Sequence, residues 1–209
     1  MQDFGALIDG YKRFRTDDYP KQKAHFETLA KEGQAPPFMV ISCCDSRVDP
    51  ATIFDTGPGE IFTLRNVANL VPPFDETGGL HGASAAIEFG VTGLNVEHIV
   101  VLGHGQCGGI GAALKGASLS TTGHNNFVDE WMSIIDDARD MVIDANFADP
   151  QRELELAAIK VSLENLRSFP YIAEREKHGE IKLHGAWYAI GEAALFTLDE
   201  ASGKFEAIE

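Results

Sequence analysis

The spacing of apolar residues changes several times along the chain, and each change marks an element. Phe4, Leu7, Ile8 and Tyr11 fall three or four apart, as do Phe26, Leu29 and Ala30. The first thirty residues therefore predict two amphipathic helices, broken near Thr16–Pro20. Both precede any strand, so their apolar faces need a surface elsewhere, on their own domain or on a second subunit. Gly33 and Pro36–Pro37 end this arm, which divides the chain into a helical arm over residues 1–36 and one α/β domain over 37–209.

Three short apolar runs follow at intervals typical of α/β units. Phe38–Cys44 is uncharged and bounded by Pro and Asp, which suits an interior parallel strand. Ile61–Asn66 and His98–His104 are the second and third. Asp49 followed by Pro50 is an N-cap with proline at the first helical position, opening a short helix through Phe54. Gly82–Gly93, Ala-rich with Ile87 and Val91 four apart, predicts the helix joining the second and third strands, and Gly108–Leu114 predicts another. A polar loop, Ser118–Asn126, leads to two longer helices. In Phe127–Val142 one face carries Phe127, Trp131, Ile134, Ile135, Ala138 and Val142; the other helix opens at Asp149-Pro150 and carries Leu156, Ile159, Leu163 and Leu166. Ile181–Ile190 and Ala194–Leu198 predict the last strands, with Lys204–Ile208 closing a hairpin through Ser202-Gly203. This order predicts a mostly parallel sheet covered by helices.

A chain of 209 residues, 44% hydrophobic, can bury a core without disulfides, and 3 Cys could not build a disulfide framework. Acidic residues outnumber basic ones by 32 to 17, for a net charge of −15. That field repels phosphate backbones and anionic membrane surfaces, so neither nucleic acid nor membrane is an expected partner. The most apolar long stretch, His98 to Leu114, is Gly-rich and ends at Lys115, short of the roughly 20 residues a membrane span requires. The start carries Asp3 and Asp9 and lacks an apolar signal core, so a cytoplasmic protein is expected.

Cys43, Cys44 and Cys107 each lie at the end of a predicted strand, where open parallel sheets place their chemistry. Neighbouring first and third strands would bring together Cys43-Cys44-Asp45-Ser46-Arg47 and His104-Gly105-Gln106-Cys107. His104 and Cys107 with one thiolate from the first strand make a donor set suited to Zn²⁺, and three protein ligands leave a fourth position open, as in catalytic zinc sites. Side chains alternate along a strand, so Cys43 and Cys44 do not both face one metal; periodicity leaves open which of them binds.

At these residues the sequence resembles the β-class carbonic anhydrases, which carry a Cys-x-Asp-Ser-Arg element and, about sixty residues later, a His-x-x-Cys element. Here they are Cys43–Arg47 and His104–Cys107. Pro58-Gly59-Glu60 with Phe62, the run Arg65 to Asn69, Ala85–Glu88 and Gly103–Gly109 are similar too. The resemblance implies Cys43, His104 and Cys107 as ligands of one zinc per subunit, with Cys44 variable. It implies a parallel four-stranded sheet with an added antiparallel edge strand, flanked by helices. It also implies a homodimer, or a dimer-based higher oligomer, in which the N-terminal helical arm packs on the partner subunit. The chain looks most like the plant-type branch. Gln34 matches a residue that reaches a partner's site, and Phe62 and Val67 match the lining of the carbon dioxide pocket. Phe89 stands where that branch often has Tyr. Val40 replaces a Trp that accompanies Arg65 in a bicarbonate-inhibited branch, so that allosteric site is not expected here.

The implied activity is reversible hydration of CO₂ to bicarbonate and a proton through zinc-bound hydroxide. Asp45 would orient the hydroxide, Arg47 would keep Asp45 ionised and off the metal, and the Gly108 N–H would steady the forming bicarbonate. Breaking the Asp45–Arg47 pair would let Asp45 close the fourth position, an inactive form known in the family. Relatives of the fold that hydrolyse carbon disulfide or carbonyl sulfide, and a zinc-stabilised binding protein without turnover, are the rival expectations. His81, His124 and His184 read as surface or helix-end histidines, and no proton shuttle is assigned.

Overall fold

The computed structural model describes residues 3–118 and 127–208. The predicted Ser118–Asn126 loop, beyond Ser118, and His124 lie outside the described residues. The chain divides into two compact units, Met1–Ala35 and Pro36–Glu209. In the first unit, helices α1 (Phe4–Arg13) and α2 (Tyr19–Glu32) are joined by a π-helical turn, Phe14–Asp18, where the sequence predicts a break. The helical path therefore continues through the break with one wider turn. Phe14, Tyr19 and Phe26 pack ring against ring there, with centroids 5.5–6.2 Å apart. The α1 face does not pack in this way: Phe4 and Leu7 are 74% and 71% exposed.

The second unit is built on one sheet. Strands β1 (Phe38–Cys43), β2 (Ile61–Asn66) and β3 (His98–His104) run parallel and are joined by the short helix α3 (Pro50–Ile53) and by α4 (Gly82–Glu88), the latter extended by a π-turn over Phe89–Gly93. After β3 come α5 (Gly108–Leu114), α6 (Phe127–Met132), α7 (Asp136–Ala145), α8 (Pro150–Arg167) and α9 (Pro170–Lys177). Strand β4 (Lys182–Ala189) lies parallel to β3; β5 (Ala194–Asp199) and β6 (Lys204–Ala207) continue antiparallel to the edge. The order is β2-β1-β3-β4-β5-β6. The resemblance implies four parallel strands and one antiparallel strand, and the structure adds a second antiparallel one. That strand is the predicted Ser202-Gly203 hairpin: Gly203 takes φ +69°, and its N–H donates to the Asp199 carbonyl at 2.8 Å.

Two other expectations shift. The Phe127–Val142 helix is interrupted by a 3-10 turn, Ser133–Ile135, which rotates the following apolar face. Ile135, Ala138 and Val142 are buried, while Phe127 is 76% exposed. Helix α9 was not predicted; Pro170 at its first turn starts it directly after α8.

The main core lies between one sheet face and α4, α8 and α9, where Met39, Ile41, Ile99 and Val101 meet Ile87, Ile159, Leu163 and Ile172. Ile159 fixes α8 over the strands. A Cβ at Gly103 would stand 2.7 Å from Ile159 Cδ1, and one at Gly185 would stand 3.0 Å from its Cγ2, so only glycine leaves room for this side chain on β3 and β4. A second cluster at the C-terminal strand ends joins Cys43, Ala68 and Cys107 to Ile110, Met132, Ile135 and Leu154. The helices after β3 thus enclose the ends of β1 and β3.

Candidate metal centre

Because β1 and β3 are paired neighbours, with Ser42 opposite Leu102, their last residues and the turn after β3 meet. Cys43, His104 and Cys107 converge there, all buried, with their donor atoms within 4.8 Å of one another. Among the described residues no other group of three His, Cys, Asp or Glu side chains converges in this way. Cys44, one residue past the end of β1, is exposed and lies outside this group.

The donor atoms fit a zinc ion. His104 Nδ1 lies 2.9 Å from the Gly105 carbonyl, which can only accept, so Nδ1 carries the proton. Nε2 then presents a bare lone pair, and it is buried with no hydrogen-bond partner. An outer carbonyl that sets the tautomer in this way is the common arrangement behind a metal-ligating imidazole. Of the two sulfurs, Cys43 leans toward the thiolate form. A hydrogen bond from Cys107, with N–H groups of Asp45 and Ala68, draws the Cys43 thiol down to about 4 against its burial. The same sulfur contact, with burial, pushes Cys107 upward, while the N–H groups of Ile110 and Gly109 at the start of α5 pull the other way. Two thiolates and a neutral imidazole are the borderline-soft set that zinc prefers.

Asp45 borders the trio, with Oδ2 4.0 Å from His104 Nε2. Arg47 forks onto it: Nε donates to Oδ1 at 2.9 Å, Nη2 to Oδ2 at 2.7 Å, and the Arg47 N–H also reaches Oδ1 at 2.9 Å. The guanidinium hydrogen bonds hold the Asp45 carboxyl well below the usual carboxylate range. Arg47 Nη2 also donates to the Gln106 carbonyl at 3.1 Å, tying the first ligand segment to the second.

Several supports escape sequence reasoning. Arg65 reaches from β2 and donates to the carbonyls of Cys43, Asp45 and Val48 at 3.0, 2.7 and 3.2 Å, so it shapes the whole Cys43–Val48 turn. Glu155 on α8 accepts from the Cys107 N–H at 3.0 Å. Burial pushes its carboxyl up, and its donors pull it back. The available signals were a charge inside the apolar β2 run and an acid on the apolar face of α8. Backbone strain gathers here as well: Ala68, Asn69 and Gln106 take φ of +61°, +50° and +60°, a conformation costing non-glycine residues about 1–3 kcal/mol each.

The other predicted residues scatter. Val67 joins the cluster: its carbonyl accepts from Trp131 Nε1 at 2.8 Å, and a Cβ at Gly109 would meet its Cγ1 at 3.1 Å. Gly108 begins α5 with open space where a side chain would project. Phe62 and Phe89 pair with each other, centroids 5.9 Å apart, beside Met39 and Gly90. Phe62 lies four positions before Asn66, the register partner of Cys43, which is about 13 Å along the strand. Gln34 is exposed in the first unit. His184 meets His98 at 3.0 Å at the start of β3, the opposite end from the trio, and His81 precedes α4.

The sequence model of a protein family described as "Carbonic anhydrase" matches residues 38–195. β-Carbonic anhydrase 3 of Arabidopsis thaliana is 37% identical over 199 residues, 92% of this chain and 76% of that protein. The solved structure of the β-carbonic anhydrase CcaA superposes with a TM-score of 0.89 at 31% identity, covering 98% of this chain and 92% of its own. One of two tetrameric β-carbonic anhydrases of Sordaria macrospora superposes at 0.77 with 26% identity, covering 94% and 96%.

Proposed function

Because this chain belongs to the β-carbonic anhydrases, zinc enzymes that interconvert carbon dioxide and bicarbonate, we propose that Cys43, His104 and Cys107 hold the ion and that Asp45 and Arg47 serve the reaction beside it. The observation that carries the assignment is the convergence of two thiols and an unpartnered imidazole nitrogen, with an ionised carboxylate at their border.

Held by Cys43, His104 and Cys107, a zinc ion would supply the Lewis acidity that makes water a nucleophile near neutral pH. The chain's own groups do the rest. Asp45 Oδ2 accepts the O–H of the attacking nucleophile and so turns a lone pair toward the carbon of CO₂. Arg47 keeps that carboxylate ionised and occupied, which holds it back from the ligand trio. The Gly108 N–H, at the open start of α5, donates to the oxygen on which charge develops. Val67 contributes apolar wall, as an uncharged substrate requires.

Phe62 and Phe89 pair with each other about 13 Å along the sheet from the Cys43 end of β1, so we assign their part in the pocket, with that of Gln34, to a neighbouring copy. The exposed α1 face and the tetrameric relatives support a homodimer or a dimer-based assembly. Among the described residues no helix is long and apolar enough to cross a membrane. Three unpaired thiols suit a reducing compartment, and the cytoplasm is the location we propose.

Stopped-flow CO₂ hydration at alkaline pH with metal analysis tests the assignment. The expected result is one zinc per chain, with both zinc and turnover lost in Cys107→Ala. Zinc without turnover on CO₂ would exclude this reading, and turnover on carbon disulfide alone would move the substrate to a sulfur analogue.

A further inference from the structure

We propose that Glu155 is a positioning residue of the metal centre: its carboxylate fixes the backbone of Cys107 and so sets how firmly the 104–107 turn retains zinc. This inference rests on the assignment of Cys43, His104 and Cys107 as ligands.

Glu155 is 3% exposed and lies one helical turn before Ile159, the side chain lodged against Gly103 and Gly185. The helix that presents it is therefore held in place over β3 and β4. Both of its oxygens are engaged, by donors from the 104–107 turn, from α8 itself and from β4. Oε1 accepts from the Cys107 N–H at 3.0 Å and from Gln151 Nε2 at 3.1 Å, and Oε2 accepts from Trp187 Nε1 at 3.1 Å. Gln151 Nε2 also reaches the Cys107 carbonyl at 3.5 Å, so both backbone groups of this residue are addressed from α8. The turn's other face is pressed on β4: the Gly105 N–H donates to the Tyr188 carbonyl at 2.9 Å, and a side chain at position 105 would meet Trp187 at 3.2 Å.

An acid at this place is costly for folding, because Glu155 is buried and its hydrogen-bond partners are neutral N–H donors. What an apolar side chain lacks is an acceptor for the Cys107 N–H. The turn cannot supply one itself, since Gln106 is already in the left-handed conformation and its carbonyl is taken by Arg47. Without Glu155 that N–H is buried and unpaired unless the turn moves to hydrate it; the cost favours the movement, which displaces the sulfur attached to the same residue. Outer partners that orient ligands in this way change metal affinity by about 10–100-fold when removed.

The test uses the full-length zinc protein and reads metal retention. Glu155→Met keeps the length of the side chain but removes both carboxylate acceptors, so the Cys107 N–H and Trp187 Nε1 lose their partner. The expected result is a folded protein whose zinc affinity, measured by competition with a chelator, falls about 10–100-fold. The absorption bands of its cobalt-substituted form should also shift, which a purely structural role would not produce. Wild-type zinc retention with unchanged cobalt bands overturns the inference. If Glu155→Met does not fold, Gln151→Ala removes a donor from the Glu155 oxygen that holds Cys107, at a half-buried position. Zinc loss easier than in wild type then supports the inference, and wild-type retention overturns it. Zinc still bound by Cys107→Ala would instead break the ligand assignment, and the inference with it.

Discussion

The Arg47 fork gives Asp45 a pH signature. With its carboxyl held well below the usual range in the folded chain, the stability this pair adds is complete above about pH 4, where the unfolded carboxyl is already ionised. It is lost as pH falls from there through the folded value. The gap in unfolding free energy between wild type and Arg47→Ala should therefore be flat across neutral pH and narrow below about pH 4. Only the Arg47–Gln106 bond should then remain. Denaturant unfolding at stepped pH checks this, and a gap that widens in acid would contradict it. Residues of this kind are legible in sequence because the chemistry is local: Asp45 and Arg47 are two apart, and His104 and Cys107 three apart. Arg65 and Glu155 act on segments roughly twenty and fifty residues away, through backbone groups that any residue type would offer. Their partners leave no trace in residue identity.

Elements came through the sequence where a side-chain signal starts them. Asp49 and Asp149 cap α3 and α8 as their Asp-Pro pairs predict, accepting from Thr52 N–H at 3.2 Å and Arg152 N–H at 3.1 Å. Elements that depend on backbone register alone did not show: the π-turns after α1 and α4 and the 3-10 step before α7 have no residue code of their own. The seat of α8 has one that is easy to overlook, the glycine inside each of β3 and β4. Gly103→Ala should force Ile159 off its position and cost about 1–3 kcal/mol, the usual penalty of overpacking a filled core. Thermal unfolding reads it. Adding Ile159→Val, which trims the colliding branch, should recover part of the loss.

For the whole molecule, the arm remains the part whose purpose its own unit does not explain. Phe4, Leu7, Ile8 and Tyr11 stay exposed along one face of α1, as the spacing of apolar residues anticipates when it asks for a second surface. Leu7→Asp combined with Tyr11→Asp should lower the molar mass found by sedimentation, and should also lower activity if neighbouring copies complete each other's pockets. An unchanged mass would remove the arm from the assembly. Finally, the order of synthesis matters to the metal centre. A ribosome has made all three donors by Cys107, whereas the carboxylate and the indole that brace the turn arrive only with Glu155 and Trp187. The braces of the turn can therefore be complete only once translation has passed β4.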